Sequence, residues 1–399
     1  MKDIRKVLLV CSIYKPNIGG VETAISDLAR CYEKMGIKTA ILTKKYPLNI
    51  SEHEFIEGIP VWRMQRPKTE RDFTQTIDWL KKHEGYLKSD IVHIVGIRRP
   101  LPIFSLLLSR LWNVPFVVTF SGGDLPEPKD LESIDLWKEG EDTVPKAVMQ
   151  ADLLISFSGY TKKLAQQTIP KLGKVDVIYA GVELSEIRKI KKAKTDYKYF
   201  FSARRLEKSK GLDILLKAFK KAKAQLPSVK LLIAGTGSEE SNLKKLTKNL
   251  KLTEDVKFLG NLSHEDMCSY MKSAIAHICP SRAESGGTVN FEAQASGCLT
   301  IGSNVGGIPE YIINGKTGYT FPSENYNMLA DLLILSFTKP EERKRLIESA
   351  KKYIKQYDNK NFAKKYIVGY IEAKKRKVRN KFRPWSNLST AMWEELNSK

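Results

Sequence analysis

Apolar residues in the first half of the chain fall in short unbroken runs, and the longer segments between them space their apolar positions three and four apart. The runs "KVLLVCSI", "KTAILT", "DIVHIV", "PFVVTF", "DLLISF" and "KVDVIYA" are rich in β-branched residues and predict strands. The intervening spacing predicts helices such as 21–35 and 162–167. Strands apolar on both faces, alternating with helices, predict a parallel sheet covered on both sides. The alternation stops at a basic segment, "SEIRKIKKAKTDYK" (185–198), and then restarts with "YKYFFSA", helix 212–224, "VKLLIAG", helix 239–250, "VKFLG", helix 264–272, "AIAHICP" and "CLTIGS". The expected organisation is α/β throughout, with a first domain over 1–184, a linker over 185–198 and a second parallel-sheet domain over 199–370. A basic helical tail, 371–399, ends in "SNLSTAMWEEL", amphipathic enough to pack back on the N-terminal domain.

Length agrees with two domains, since 399 residues exceed the size at which one core stops growing. The five cysteines are widely spaced, form no C-x-x-C pair and read as buried thiols of a reducing, cytoplasmic compartment. The start, "MKDIRKVLLVCSIYKP", lacks the length and cleavage site of a signal peptide and reads as a first strand. The most membrane-like stretch, "LPIFSLLLSRLWNVPFVVTF", is interrupted by Arg110, Asn113 and Pro115, so it predicts a helix and a strand rather than a span. A net charge of +22 points to a polyanionic partner: a phospholipid surface, nucleic acid or a phosphorylated substrate. Nucleic acid is not expected, because the lysine runs, including "KKRKVRNKFR" (374–383), lack interleaved aromatic platforms.

Candidate chemistry sits where strands end, the place at which parallel sheets bind ligands. In "SIYKPNIGGVETAISDLAR", Gly19 and Gly20 open a helix carrying Glu22; the amides there suit a phosphate or sugar oxygen, or simply a turn. In "FSARRLEKSKGLDIL", Arg205 and Lys210 suit a diphosphate, the bland alternative being a solvated basic loop. Gly235, Thr236 and Gly237 in "LLIAGTGSEE" allow close backbone approach, as a tight turn also would. The stretch "SRAESGGTVNFEAQASG" (281–297) is more specific. Glu284 follows a predicted strand, Gly286 and Gly287 form a turn, Thr288 is a candidate helix cap and Glu292 lies in the first turns of that helix. Two carboxylates here point to a polyhydroxylated ligand, against helix-dipole stabilisation for Glu292 and a surface role for Glu284. "GSNVGGIPEYIINGKTGYTF" offers a further loop at Gly306 and Gly307. No metal or cofactor is expected: D-x-D and H-E-x-x-H are absent, the histidines lack ligand spacing, and His93 and His277 read as core.

In order and spacing, "GGVE" (19–22), "RLEKSKG" (205–211), "AGTG" (234–237), the E-x7-E from Glu284 to Glu292 and "GGIPE" (306–310) resemble the retaining, nucleotide-sugar-dependent glycosyltransferases of family 4. The resemblance covers nearly the whole chain. It implies the GT-B fold, two Rossmann-like domains facing across a cleft. It further implies that Gly19 and Gly20 border the donor diphosphate and acceptor, and that Arg205 and Lys210 bind the diphosphate. Glu284 would contact the donor sugar and Glu292 the ribose, with the amides of Gly286, Gly287 and Thr288 near sugar and phosphate. The implied substrates are a UDP- or GDP-sugar and a glycan or lipid-linked acceptor. Peripheral contact with an anionic membrane is also implied, for which 97–112 and the tail with Trp385 and Trp393 are the candidate surfaces. One position departs from the family: Ser121 stands where a histidine is common, with Asp124 nearby as a substitute polar contact. A nucleotide-sugar epimerase of the same fold and a non-catalytic glycan-binding relative are the alternatives.

Overall fold

The computed structural model describes residues 4–17, 19–65 and 70–376. They form two compact units, one running to Gly181 and taking back the helix Asn359–Arg376, the other spanning Val182–Asp358.

In the first unit, all six predicted runs form strands. The sheet contains β1 (Lys6–Cys11), β2 (Lys38–Lys44), β3 (His53–Ile56), β4 (Ile59–Met64), β5 (Ile91–Val95), β6 (Phe116–Phe120), β7 (Leu153–Ser156) and β8 (Val175–Val177), in the order β3-β4-β2-β1-β5-β6-β7-β8. Neighbours are parallel except β3 and β4, a hairpin that sequence reading did not anticipate. Its turn is Glu57-Gly58, with Glu57 at φ 53°, rather than the Asn-Gly or Asp-Gly pair that signals such turns. The order changes direction at β1, whose neighbours are β2 and β5, so the loops after β1 and β5 form this sheet's switch point.

The helix Leu101–Trp112 packs on β5 and β6 with eleven of its twelve residues buried. Its apolar side chains serve the core, which removes them from the candidate membrane surface at 97–112. The tail's Trp385 and Trp393, and most of the basic run 374–383, lie outside the described residues.

The helix Asn359–Arg376 belongs with the first unit, although residues to 370 were expected in the second domain. Phe362, Tyr366 and Tyr370, four apart, form one buried face. Tyr32 donates to Tyr370 Oη at 3.0 Å, and Tyr370 Oη lies 2.6 Å from His93 Nδ1. His93 Nε2 meets Thr119 Oγ1 at 2.8 Å, and that hydroxyl lies 3.1 Å from Tyr366 Oη. Burial lowers the His93 pKa to about 3, so the imidazole is neutral within this network.

The second unit's sheet is wholly parallel: β9 (Tyr199–Ala203), β10 (Lys230–Ala234), β11 (Val256–Phe258), β12 (Ala276–Cys279), β13 (Leu299–Ser303) and β14 (Tyr319–Phe321), in the order β11-β10-β9-β12-β13-β14. Its switch point lies between β9 and β12, and both strands run directly into candidate site residues. The segment expected as a linker instead docks on this unit. Leu184 and Ile187 bury one face of a short helix, Leu184–Lys189, and Ala193 N donates to Ser269 O at 3.1 Å. Its lysines masked that apolar pair. All five cysteines are buried thiols outside any disulfide.

Candidate functional site

Glu284 is the centre of the second unit's switch point. Beyond β12 the chain brings the Glu284 carboxylate toward the end of β9, where Arg204 extends the strand by donating its amide to Ala234 O at 2.9 Å. Arg204 Nη2 donates to Glu284 Oε2, and Lys210 Nζ reaches the same oxygen at 3.4 Å. Ser281 Oγ donates to it at 3.4 Å. Solvent barely reaches the pair: the side chains are 4% exposed for Arg204 and 12% for Glu284. Burial alone would raise the Glu284 pKa, but the charges of Lys210 and Arg204 outweigh it and hold the carboxyl below its ordinary value. The group is a carboxylate at neutral pH.

Close backbone approach assembles the surrounding loops. Gly306, at φ 55°, lies so near Glu284 that a Cβ there would stand 1.9 Å from the Glu284 carbonyl oxygen; Gly307 N donates to that same oxygen at 2.8 Å. Gly235, at φ 121°, packs likewise against Arg204, whose carbonyl oxygen would be 1.9 Å from an added Cβ. Arg282 braces the lysine loop. Its guanidinium forks onto Asp213 at 2.7 and 2.8 Å, Nη1 also donates to Lys208 O at 2.8 Å, and its amide donates to Ser209 O at 2.8 Å.

Two arginines therefore divide the work at this edge. Arg204, missed by sequence reading, is the residue paired with Glu284, whereas Arg205 is 56% exposed and its Nη1 donates to Glu207 at 2.6 Å. In a run of adjacent arginines, only the strand register tells which one turns inward. Thr236 Oγ1 donates to Asn261 Oδ1 at 3.3 Å, tying the turn at Gly235 and Gly237 to the loop after β11. Gly286 and Gly287 form a turn before the helix Val289–Ala295, with Gly287 at φ 91°. Thr288 occupies the N-cap position of that helix but makes no side-chain cap bond, because its own backbone is already helical. Glu292 lies on this helix, where Oε1 meets His264 Nε2 at 3.1 Å. Nothing in the composition of the sequence marked His264 as its partner.

The first unit's candidates follow β1 and β6. Gly19 is extended, Gly20 opens the helix Gly20–Lys34, and the Glu22 carboxylate folds back over Gly19. After β6, Ser121 Oγ donates to Asp124 Oδ2 at 2.9 Å. That carboxylate also receives Ile97 N at 3.0 Å, and its Oδ1 receives Arg98 Nε at 2.7 Å. Ser121 and Asp124 thus hold the loop after β5, and Asp124 is buried while doing so. Among the described residues, no group of three or more His, Cys, Asp or Glu forms a potential metal centre.

Comparison with known proteins agrees with this arrangement. The family model described as Glycosyltransferase Family 4 matches residues 18–186, and that described as Glycosyl transferases group 1 matches residues 184–353. The chain is 24% identical over 391 residues to a D-inositol 3-phosphate glycosyltransferase of Pseudarthrobacter chlorophenolicus, covering 86% of this chain and 89% of that one. Among solved structures, sucrose-phosphate synthase from Thermosynechococcus elongatus has a TM-score of 0.75 at 18% identity, covering 92% of this chain and 99% of that one. Anabaena HepE in complex with UDP-glucose has a TM-score of 0.72 at 18% identity, covering 91% and 98%. Matched from residue 18 to residue 353 by these two models in succession, and sharing its pair of parallel-sheet units with those structures, the chain belongs to glycosyltransferase family 4 and has the GT-B fold.

Proposed function

We propose that the protein is a retaining hexosyltransferase that moves a sugar from a UDP- or GDP-sugar to a glycan or lipid-linked acceptor, in the synthesis of a cell-surface polysaccharide, lipopolysaccharide or glycolipid. The observation that carries the reading is the convergence of Glu284 and Lys210, 3.4 Å apart, at the switch point of the second sheet. A fixed carboxylate there accepts hydrogen bonds from donor-sugar hydroxyls, and the neighbouring ammonium meets the diphosphate. Arg204 is turned inward, its Nη1 on Cys279 and its Nη2 on Glu284, so the second cation for the diphosphate is Arg205, on the accessible side of the strand end. The turns at Gly235 to Gly237 and at Gly286 to Thr288 contribute amides, and Glu292 accepts from the ribose.

In the reaction, the acceptor oxygen bonds to the anomeric carbon as the bond from that carbon to the diphosphate oxygen breaks. The acceptor's proton passes to the departing phosphate on the same face, so the configuration is retained. Lys210 and Arg205 accelerate departure to the extent that they bind the charge developing on the diphosphate more strongly than the intact donor. Phosphate neutralisation by these two cations makes a resident metal unnecessary in this scheme. The high positive charge suits an anionic membrane as the place where a lipid-linked acceptor is met, with the protein at the inner face of the cytoplasmic membrane. No helix among the described residues is long and apolar enough to cross a membrane.

A panel of UDP- and GDP-sugars, with and without lipid and glycan acceptors, tests the reading. Release of nucleotide diphosphate that depends on the sugar and is abolished in Glu284→Ala and Arg205→Ala is the expected result. Tight donor binding without transfer to any acceptor would indicate a binding protein, and interconversion of the free nucleotide-sugar an epimerase.

A further inference from the structure

The contact between His264 and Glu292 joins two helices of the second unit. His264 is the first residue of the helix His264–Ser273, whose cap is Ser263, accepting from Asp266 N at 3.0 Å. One turn later Cys268 lies on the same face, its Sγ 3.7 Å from His264 Nε2. That nitrogen points across to Glu292 Oε1 at 3.1 Å, while the imidazole remains half-exposed and Glu292 is 15% exposed. The contacts with Cys268 and then with Glu292 raise the His264 pKa well above its usual 6.5, so the imidazole is protonated at neutral pH. The loop that leads into His264 is itself fixed: Gly235 N donates to Gly260 O at 2.7 Å, and Thr236 reaches Asn261. His264, Glu292 and the glycine turn therefore form one connected edge of the site.

A carboxylate on a flexible glutamate loses side-chain entropy when it must meet a sugar hydroxyl in one orientation. Fixing one of its oxygens beforehand removes much of that cost and aims the other. We infer that His264 is the positioning residue for Glu292, holding Oε1 so that Oε2 accepts a ribose hydroxyl of the donor nucleotide. This rests on the nucleotide-sugar reading of the same site. His264 itself need not touch the nucleotide, and its effect travels through the glutamate.

The test is equilibrium binding of UDP, GDP and their 2′-deoxy and 3′-deoxy counterparts to the full chain, in the wild type and in His264→Ala and His264→Gln, with thermal unfolding to confirm that each variant is folded. The wild type is expected to prefer its ribonucleotide over at least one deoxy counterpart by about tenfold, the scale of one hydrogen bond to a charged group. In His264→Ala that preference should fall below about threefold through weaker ribonucleotide binding, with deoxynucleotide affinity unchanged. His264→Gln, which keeps a donor, should recover part of it. Undiminished preference in His264→Ala overturns the inference, as does an equal loss for ribo and deoxy ligands, the mark of a merely structural role. A wild type that binds ribo and deoxy forms equally well overturns it too, while leaving nucleotide binding intact. Failure of the wild type to bind either ribonucleotide overturns the nucleotide reading itself.

Discussion

Arg204 donates to the very carboxylate oxygen of Glu284 that Lys210 approaches at 3.4 Å, from a position almost closed to solvent. A buried ion pair of this kind is costly to break from one side only, because the remaining charge is left without a partner. Glu284→Leu is expected to lose about 3–5 kcal/mol of stability. The double variant Arg204→Met with Glu284→Leu should regain part of it, since the buried guanidinium leaves together with the carboxylate and only the Lys210 ammonium loses its partner. Both variants should lack transferase activity. Chemical denaturation separates the two effects.

The same pair sets an acid limit. Glu284 has a folded-state pKa below its ordinary 4.5, so the unfolded chain binds its proton first as pH falls. Its stabilisation is complete above pH 4.5 and fades as pH drops through the lower folded value. The melting-temperature gap between wild type and the Arg204→Met, Glu284→Leu double variant should therefore be constant from pH 7 to 5 and shift against the wild type below 4.5. A scan of melting temperature from pH 3 to 7 measures it.

Arg282 acts at one remove, through the loop that carries Lys210. Arg282→Lys keeps the charge but loses the fork onto Asp213 and the brace to Lys208 O. Donor KM should rise several-fold with a smaller change in kcat, because the loop is displaced in the free enzyme and ordered again by the bound donor. Steady-state kinetics at saturating acceptor decides it.

Much of this site was legible in the sequence, for reasons that particular residues make plain. Glu284, Lys210 and the glycine turns announce themselves because charged and glycine residues directly after apolar strands have few structural excuses. Arg204 did not, since choosing between adjacent arginines requires the register of β9. The partnership of Glu292 with His264 spans 28 residues and two helices, and no local pattern encodes it. The hairpin at β3 and β4 was hidden by a Glu-Gly turn. The return of the helix Asn359–Arg376 to the first unit was hidden too, because its aromatic face says that it is buried but not against what.

That aromatic face makes a stability prediction of its own. Tyr370→Phe removes the partner of His93 Nδ1 and of Tyr32 in a fully buried setting. The expected loss is roughly 1–3 kcal/mol, the cost of an unsatisfied buried polar group. Transferase activity measured well below the melting temperature should be preserved.

In the proposed function the carboxyl edge of the second sheet, at Lys210, Arg205 and Glu284, binds the nucleotide diphosphate of the donor. Titration of the full chain with UDP and with GDP, in wild type and in Lys210→Met, addresses it most directly. Saturable one-to-one binding of one of the two nucleotides is expected, weakened by at least about tenfold in Lys210→Met, on the scale of a lost charge-assisted hydrogen bond. Binding of equal strength in the variant, or no binding of either nucleotide by the wild type, would contradict it.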